Sequence, residues 1–480
     1  MRRELTLVAC AVLAACGTAA RLTRPEGDGG WSAARRAGEM GDVAAAAGVG
    51  PVSQPPDGAS PLTLAAALEL AAHGNRRIAE AERDVDTARE RVWDARGRLL
   101  PSTTGTGRYT WYTDPQTTNV ELPPGILPPG VRPVVTVREA KAGTVDGTLT
   151  LPLDVSGELS HALAAAQAGY RGEQARLWAT TLAQQVAVIR AYFALLEAER
   201  LREVTRETIA VDRQQLENAQ QRFTSGRLTK NELLVVQVAL RNAEQRLLQR
   251  ELDIDRARWT LNEAVGLAVD APTRIVDVGR TPTLPDADES LRLAQANNPV
   301  LAALIEERQG LEETARSLAR GRLPRFAAGG SIDYTTQDIV QPQRIGSGFV
   351  GFNWDIGTDG RREAAIAEAR IAVDRNRLTL ERTLREIESA VRQTQRAAAE
   401  RLAALATAEI AVTQAEENLR IRRQQFDAGR ATSDDVLDAT ALLAGQRAAL
   451  ATALYEAHVR RAELQELIGL PLDAVVADTR

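Results

Sequence analysis

From Val155 to Phe223, and again from Ile356 to Phe426, the chain carries neither proline nor strand-like alternation. In the second tract apolar positions step by four and three: Leu380, Leu384, Ile387, Val391, Thr394 and Ala398, then Leu402, Leu405, Ala408, Val412, Ala415 and Leu419. Leu182, Val186, Ile189, Phe193 and Leu196 open the same stripe in the first tract. This is the heptad period of helices that pack side by side, flanked by Arg, Glu and Gln. As unbroken helix, each tract of about 70 residues would span roughly 100 Å. No helix can bury such a stripe alone, so a layer of neighbouring helices is predicted.

Upstream of each tract the period changes. Leu68, Leu70, Ala71, Asn75 and Ile78 are matched 223 residues later by Leu291, Leu293, Ala294, Asn298 and Leu301. Both helices reach a Leu-Pro, at Leu100-Pro101 and Leu323-Pro324, where proline ends helical geometry. Beyond it the step is two. Gly105, Gly107, Tyr109 and Trp111 alternate with Thr104, Thr106, Arg108 and Thr110. Phe326, Ala328, Gly330, Ile332 and Tyr334 alternate with smaller or polar residues such as Ser331 and Asp333. Return strands are predicted through Val145, Leu149 and Leu153, and through Val350, Phe352 and Trp354. One apolar and one polar face suits a membrane barrel strand, and equally a half-buried soluble hairpin. Tyr109, Trp111, Tyr334 and Trp354 suit aromatic girdles. The stretch from Asp114 to Pro133, with two Pro-Pro-Gly turns, is predicted as an exposed extended loop and not a strand.

After each long tract the chain turns. Leu216–Leu267 and Leu419–Leu470 are two copies of one stretch: Phe223 matches Phe426, Gly226 matches Gly429, and Gly266 matches Gly469, each pair 203 residues apart. Glycine there supplies the left-handed backbone that ends a helix. Thr229 with Glu232, and Thr432 with Asp435, have the spacing of a capping box opening the next helix. The chain is therefore duplicated. It is read as a segment 1–15 that is removed, a tether 16–60, a first repeat 61–270, a linker 271–283, a second repeat 284–473 and a tail 474–480.

The N-terminus changes the picture. Met1-Arg2-Arg3 and the apolar run Leu5 to Ala15 read as a secretory signal, too short to span a bilayer. Leu13-Ala14-Ala15-Cys16 resembles a bacterial lipobox, which makes Cys16 a lipidated first residue; the alternative is an ordinary signal peptide ending near a cysteine. Gly17 follows it, where an Asp commonly retains lipoproteins at the inner membrane, so the outer membrane is favoured. No tract of eighteen apolar residues is evident, so no transmembrane helix is expected. A membrane-crossing part would consist of strands. The net charge of −5 gives no basic nucleic-acid footprint.

Helix, hairpin, very long helix, glycine turn and returning helix, twice over behind a lipobox, closely resemble the TolC family of outer-membrane efflux channels, and its lipidated OprM-like and NodT-like branch most. The resemblance covers about Pro61 to Asp473. Phe426-Asp427-Ala428-Gly429, continuing to Asp435-Val436-Leu437-Asp438-Ala439-Thr440, is especially close to the family's second turn. It implies a mixed fold: a predominantly long α-helical coiled-coil barrel plus a transmembrane antiparallel β-barrel. Three chains would complete that barrel with four strands each. It also implies a homotrimer working with a periplasmic adaptor and an inner-membrane pump of RND type, lipid-anchored in the outer membrane with its helices in the periplasm.

Chemistry is not expected. His73, His161 and His458 share no metal-ligand spacing, and no nucleophile grouping, phosphate loop or cysteine pair stands out, so neither enzyme activity, cofactor nor metal is predicted. In the family, acids matching Asp435 and Asp438 ring the periplasmic mouth, and Glu232 holds the matching place in the first repeat; the alternative is that these acids only cap a helix. Gly226, Arg227, Gly429 and Arg430 become candidates for the gate turn and adaptor contact. Ala431 replaces an Arg of the family, which leaves the bonds that lock the gate open. Passive export of small molecules is expected, with organic solutes favoured over soft metals, because beyond the signal segment only Met40 offers a thioether. A duct for secreted protein or oligosaccharide, or a non-channel coiled-coil lipoprotein, are the rival readings.

Overall fold

The structure is a computed structural model and describes residues 61–120, 128, 134–277, 281–357 and 359–472. The signal segment, Cys16, the tether, the tail 474–480 and, Pro128 apart, the proline-rich centre of the 114–133 loop lie outside the described residues.

In chain order the elements are α1 (Leu64–Gly74), α2 (Arg76–Gly97), β1 (Ser102–Trp111), β2 (Gln116–Asn119), β3 (Val134–Arg138), β4 (Lys141–Leu153), α3 (Glu158–Thr224) and α4 (Lys230–Val265). The second half follows with α5 (Ala287–Asn297), α6 (Pro299–Arg320), β5 (Arg325–Thr335), β6 (Arg344–Asn353), α7 (Arg361–Asp427) and α8 (Ser433–Ile468). α3 and α7 are each 67 residues long, and α4 and α8 each 36. Glu158 and Arg361, like Val265 and Ile468, stand 203 positions apart. The duplication therefore extends through both long helices without an insertion.

One compact unit comprises Arg91–Ala166 and Glu312–Arg370. Its sheet runs β1-β4-β5-β6, antiparallel throughout. The register carries the predicted alternation across β1, β4 and β5 and into the end of β6. Tyr109 lies opposite Gly143, Val145 opposite Tyr334, Leu151 opposite Ala328 and Phe326 opposite Phe352, which puts these side chains on one face. Thr106, Asp146, Asp333 and Ser331 occupy the other, where Thr106 donates to Asp146 at 3.1 Å and Ser331 to Asp333 at 2.8 Å. β6 begins earlier than Val350 and breaks the rule: Ile345 and Phe349 project to the polar face. Phe349 lies over Gly329, where a Cβ would come within 2.7 Å of the ring. The 114–133 stretch also departs from expectation. Gln116–Asn119 is strand β2, paired with β3, because its Thr-rich sequence precedes the prolines and remains free to pair.

The sheet joins the helices through ionic caps. Asp154 accepts from the backbone N–H groups of Leu159 and Ser160 at the start of α3, at 3.1 and 2.8 Å. Arg325, the first residue of β5, donates two bonds to Glu158, at 2.8 and 2.7 Å.

The other unit contains Gln167–Leu311 and the stretches up to Glu90 and from Ile371. Arg213–Glu244 (3.4 Å) joins α3 to α4, Arg401–Glu456 (2.8 Å) joins α7 to α8, and Arg447 on α8 reaches both Glu207 on α3 and Glu416 on α7. The helices thus lie in the order α4-α3-α8-α7. Exposed pairs of this kind are screened by water and contribute little to stability. The layer is held by its heptad stripes: Leu182, Val186, Ile189, Phe193 and Leu196 are buried, as are Ile387, Val391, Ala398, Leu405, Ala415 and Leu419. Leu384 departs from the stripe and stays exposed. Phe193 stacks on His458 with centroids 4.7 Å apart and on Tyr455 at 6.0 Å. Burying one such side chain is worth about 1.5–3 kcal/mol.

α3 corrects one expectation. It contains an eighteen-residue window apolar enough to cross a membrane by composition, half of it buried inside the chain. Its stretch from Leu182 to Ala198 is apolar because it is enclosed by α4, α8 and α1 in the main core.

Candidate functional site: the paired helix turns

The two turns between α3 and α4 and between α7 and α8 are built alike. Gly226 and Gly429 both sit at φ +70°, left-handed geometry that a side chain would strain. The Gly226 N–H donates to the carbonyl of Phe223 at 2.9 Å and that of Arg227 to Arg222 at 2.8 Å. Gly429 and Arg430 repeat this onto Phe426 and Gln425, at 3.0 and 2.8 Å. This is a Schellman ending, which satisfies carbonyls the helix leaves open.

The next helix opens with the predicted capping box in both copies. Thr229 accepts from the Glu232 N–H at 3.3 Å, and the Glu232 carboxylate accepts from the Thr229 N–H at 2.9 Å. Thr432 and Asp435 do the same at 3.2 and 2.8 Å. Hydrogen bonds from the threonine N–H and then its hydroxyl hold the carboxyls of Glu232 and Asp435 below their usual range. Asp435 also lies 3.9 Å from Arg422 on α7. Asp438, one helical turn on, is exposed and makes no hydrogen bond or ion pair among the described residues.

The structure separates the candidates. Glu232 and Asp435 are cap acids, Asp438 is an uncommitted carboxylate, and Arg227 and Arg430 contribute their backbone while their exposed side chains form no ion pair among the described residues. Ala431 is half-buried against the apolar cluster of Phe426, Val436 and Ala439. The arginine that joins the two turns is one the sequence reading passed over. Arg222, at the end of α3, donates to the Phe426 carbonyl at 2.9 Å and to Asp427 at 3.2 Å, with its guanidinium 3.9 Å from the Phe426 ring centroid. Its partners are about 200 positions away in the chain, so no local spacing reveals it.

Among the described residues no group of three or more His, Cys, Asp or Glu could hold a metal. His161 is paired with Glu313 at 2.6 Å and His458 is stacked in the core.

Residues 67–267 and 290–470 match the outer membrane efflux protein family. The chain belongs to that family. Its two matched stretches correspond to the two halves of the fold, and each ends at one of the glycine caps, Gly266-Leu267 or Gly469-Leu470. The cobalt-zinc-cadmium resistance protein CzcC of Cupriavidus metallidurans is 24% identical over 268 residues, which are 55% of this chain and 57% of that protein. The match thus spans little more than half the length of that relative. In fold the chain is similar to the outer membrane protein VceC of Vibrio cholerae, with a TM-score of 0.69 and 18% identity over 86% of this chain and 95% of that one. The CmeC outer membrane channel of Campylobacter jejuni gives 0.71 and 14%, covering 85% of each chain. The predominantly helical fold with few strands is that of these efflux proteins.

Proposed function

We propose that three copies of this chain close one channel through the outer membrane, the exit duct of a tripartite efflux system. A periplasmic adaptor and an RND-type inner-membrane pump are its partners, and the pump supplies the energy. The observation that carries this reading is the sheet. Its edge strands β1 and β6 run antiparallel to each other, so copies set edge to edge continue one antiparallel sheet, apolar on one face and polar on the other. Four strands are too few to close alone, since membrane barrels start at about eight. Unpaired edges cannot face lipid.

In this reading the duct conducts passively and is not an enzyme. Asp435, Asp438 and Glu232 from three copies ring the periplasmic mouth, the turn residues Gly226, Arg227, Gly429 and Arg430 meet the adaptor, and Cys16 carries the lipid anchor. Small organic solutes are the cargo. A second reading, divalent metal cations, is favoured by the cobalt-zinc-cadmium resistance relative. A deletion strain tested against organic toxicants and against cobalt, zinc and cadmium separates them. Loss of organic tolerance alone supports the first, and loss of metal tolerance alone supports the second. Full tolerance to both with loss of a secreted protein or oligosaccharide overturns small-molecule efflux.

A further inference from the structure

α4 and α7, the outer helices of the layer, each bear two stripes. One is buried against the chain itself, through Val236, Leu240 and Ile254 on α4 and through Ile387, Val391 and Leu405 on α7. Diametrically opposite on α4 lies a second heptad stripe that no described residue covers: Leu234, Val238, Leu248, Leu252 and Trp259 are 47%, 58%, 68%, 45% and 45% exposed. On α7 the uncovered stripe contains Arg385, Arg392, Arg396, Ala403, Ile410 and Ile421, all exposed.

The duplication identifies what these faces match. Shifted by 203 positions, Leu248, Leu252 and Trp259 become Ala451, Tyr455 and Ala462, which lie in the core where α8 packs on α3. Shifted back by the same step, Arg385, Arg392 and Arg396 become Leu182, Ile189 and Phe193, the α3 side of that seam. The bare faces of α4 and α7 are therefore the repeat equivalents of a packing the chain already makes once. They lie at opposite ends of one layer, so only a second copy can bring them together.

We propose that, where α4 of one copy meets α7 of the next in the trimer, Arg396 pairs with Asp255 in the place that Phe193 and His458 hold between α3 and α8. This rests on the trimeric reading above. Asp255 is the residue that corresponds to His458, and Arg396 to Phe193. Among the described residues, half-exposed Asp255 pairs with Arg258 on its own helix at 3.0 Å and with no other side chain, and Arg396 has no ion pair. An arginine enclosed at a helix seam needs a carboxylate there, and Asp255 supplies it. The core of the seam within a chain is thus apolar and aromatic, whereas the seam between copies is charged toward its middle and apolar toward the turns.

The test is charge reversal on the full-length protein in detergent. Arg396→Glu and Asp255→Arg should each lower the temperature at which the trimer dissociates, and the double reversal should restore most of the loss. In a second measurement, Leu252→Cys with Arg396→Cys in one chain should give covalent trimers with a short bismaleimide, while either cysteine alone should not. A trimeric wild type with no rescue and no cross-link overturns this seam and leaves the trimer standing. A monomeric wild type overturns the trimer itself.

Discussion

Arg222 and Phe426 tie the two helix turns together: the guanidinium of one covers the ring of the other at 3.9 Å and donates to its carbonyl at 2.9 Å. The contact joins the end of α3 to the end of α7, so it fixes the spacing of the two hairpins at their tips. A cation–π contact is worth about 0.5–2 kcal/mol and a charged hydrogen bond about 1.5–3 kcal/mol. Arg222→Ala should raise amide exchange around both turns by roughly tenfold or more, with the melting of the core around Phe193 unchanged. In bilayers the variant should spend more time open. Wild-type exchange at both turns would show that the contact holds nothing.

The acids after the second turn separate a ring from a cap. If three copies bring Asp435 and Asp438 into one opening, changing both to Ala should raise conductance, weaken cation selectivity and relieve block by divalent cations from the periplasmic side. Trimers should persist, because the heptad seams hold them. A cap-only role predicts unchanged conductance and faster amide exchange confined to the first turn of α8, where Asp435 no longer accepts from the Thr432 N–H.

The caps also have a pH signature. Glu232 and Asp435 are depressed by the threonine hydrogen bonds, so their stabilisation is complete above the ordinary carboxylate value and disappears as pH falls through the lower folded one. Protection of both turns should therefore be flat from neutral pH to about 5 and fall only below about 4. Loss of protection centred near pH 6 would contradict this assignment.

Cys16 should carry acyl chains and be the first residue of the mature protein. Mass spectrometry of the mature N-terminus reads this directly. Cys16→Ser should weaken sorting to the outer membrane and leave trimers intact, since closure depends on β1 and β6. An unmodified chain starting elsewhere would remove the anchor.

Much of this architecture was legible in the chain. Heptad spacing marked α3 and α7, and glycine followed by Thr-x-x-acid marked both turns, because helix ends are decided by near neighbours. The strand alternation marked the two faces, but not the side switch at Ile345 and Phe349. That switch depends on Gly329 in the neighbouring strand, which leaves room for the ring. Arg222 was invisible for the same reason: its partners are close in space and remote in sequence. The apolar window in α3 was not picked out from the sequence, and the packing around it shows Tyr192 and Phe193 in the core.

The central claim is that this chain forms a conducting pore, and the most direct measurement is the current through planar bilayers containing the purified full-length protein. The account predicts discrete, cation-selective steps that divalent cations block from one side, that stay open longer in Arg222→Ala and that grow in the Asp435→Ala, Asp438→Ala double variant. Trimers that insert into the bilayer and pass no current in any of these forms would contradict it.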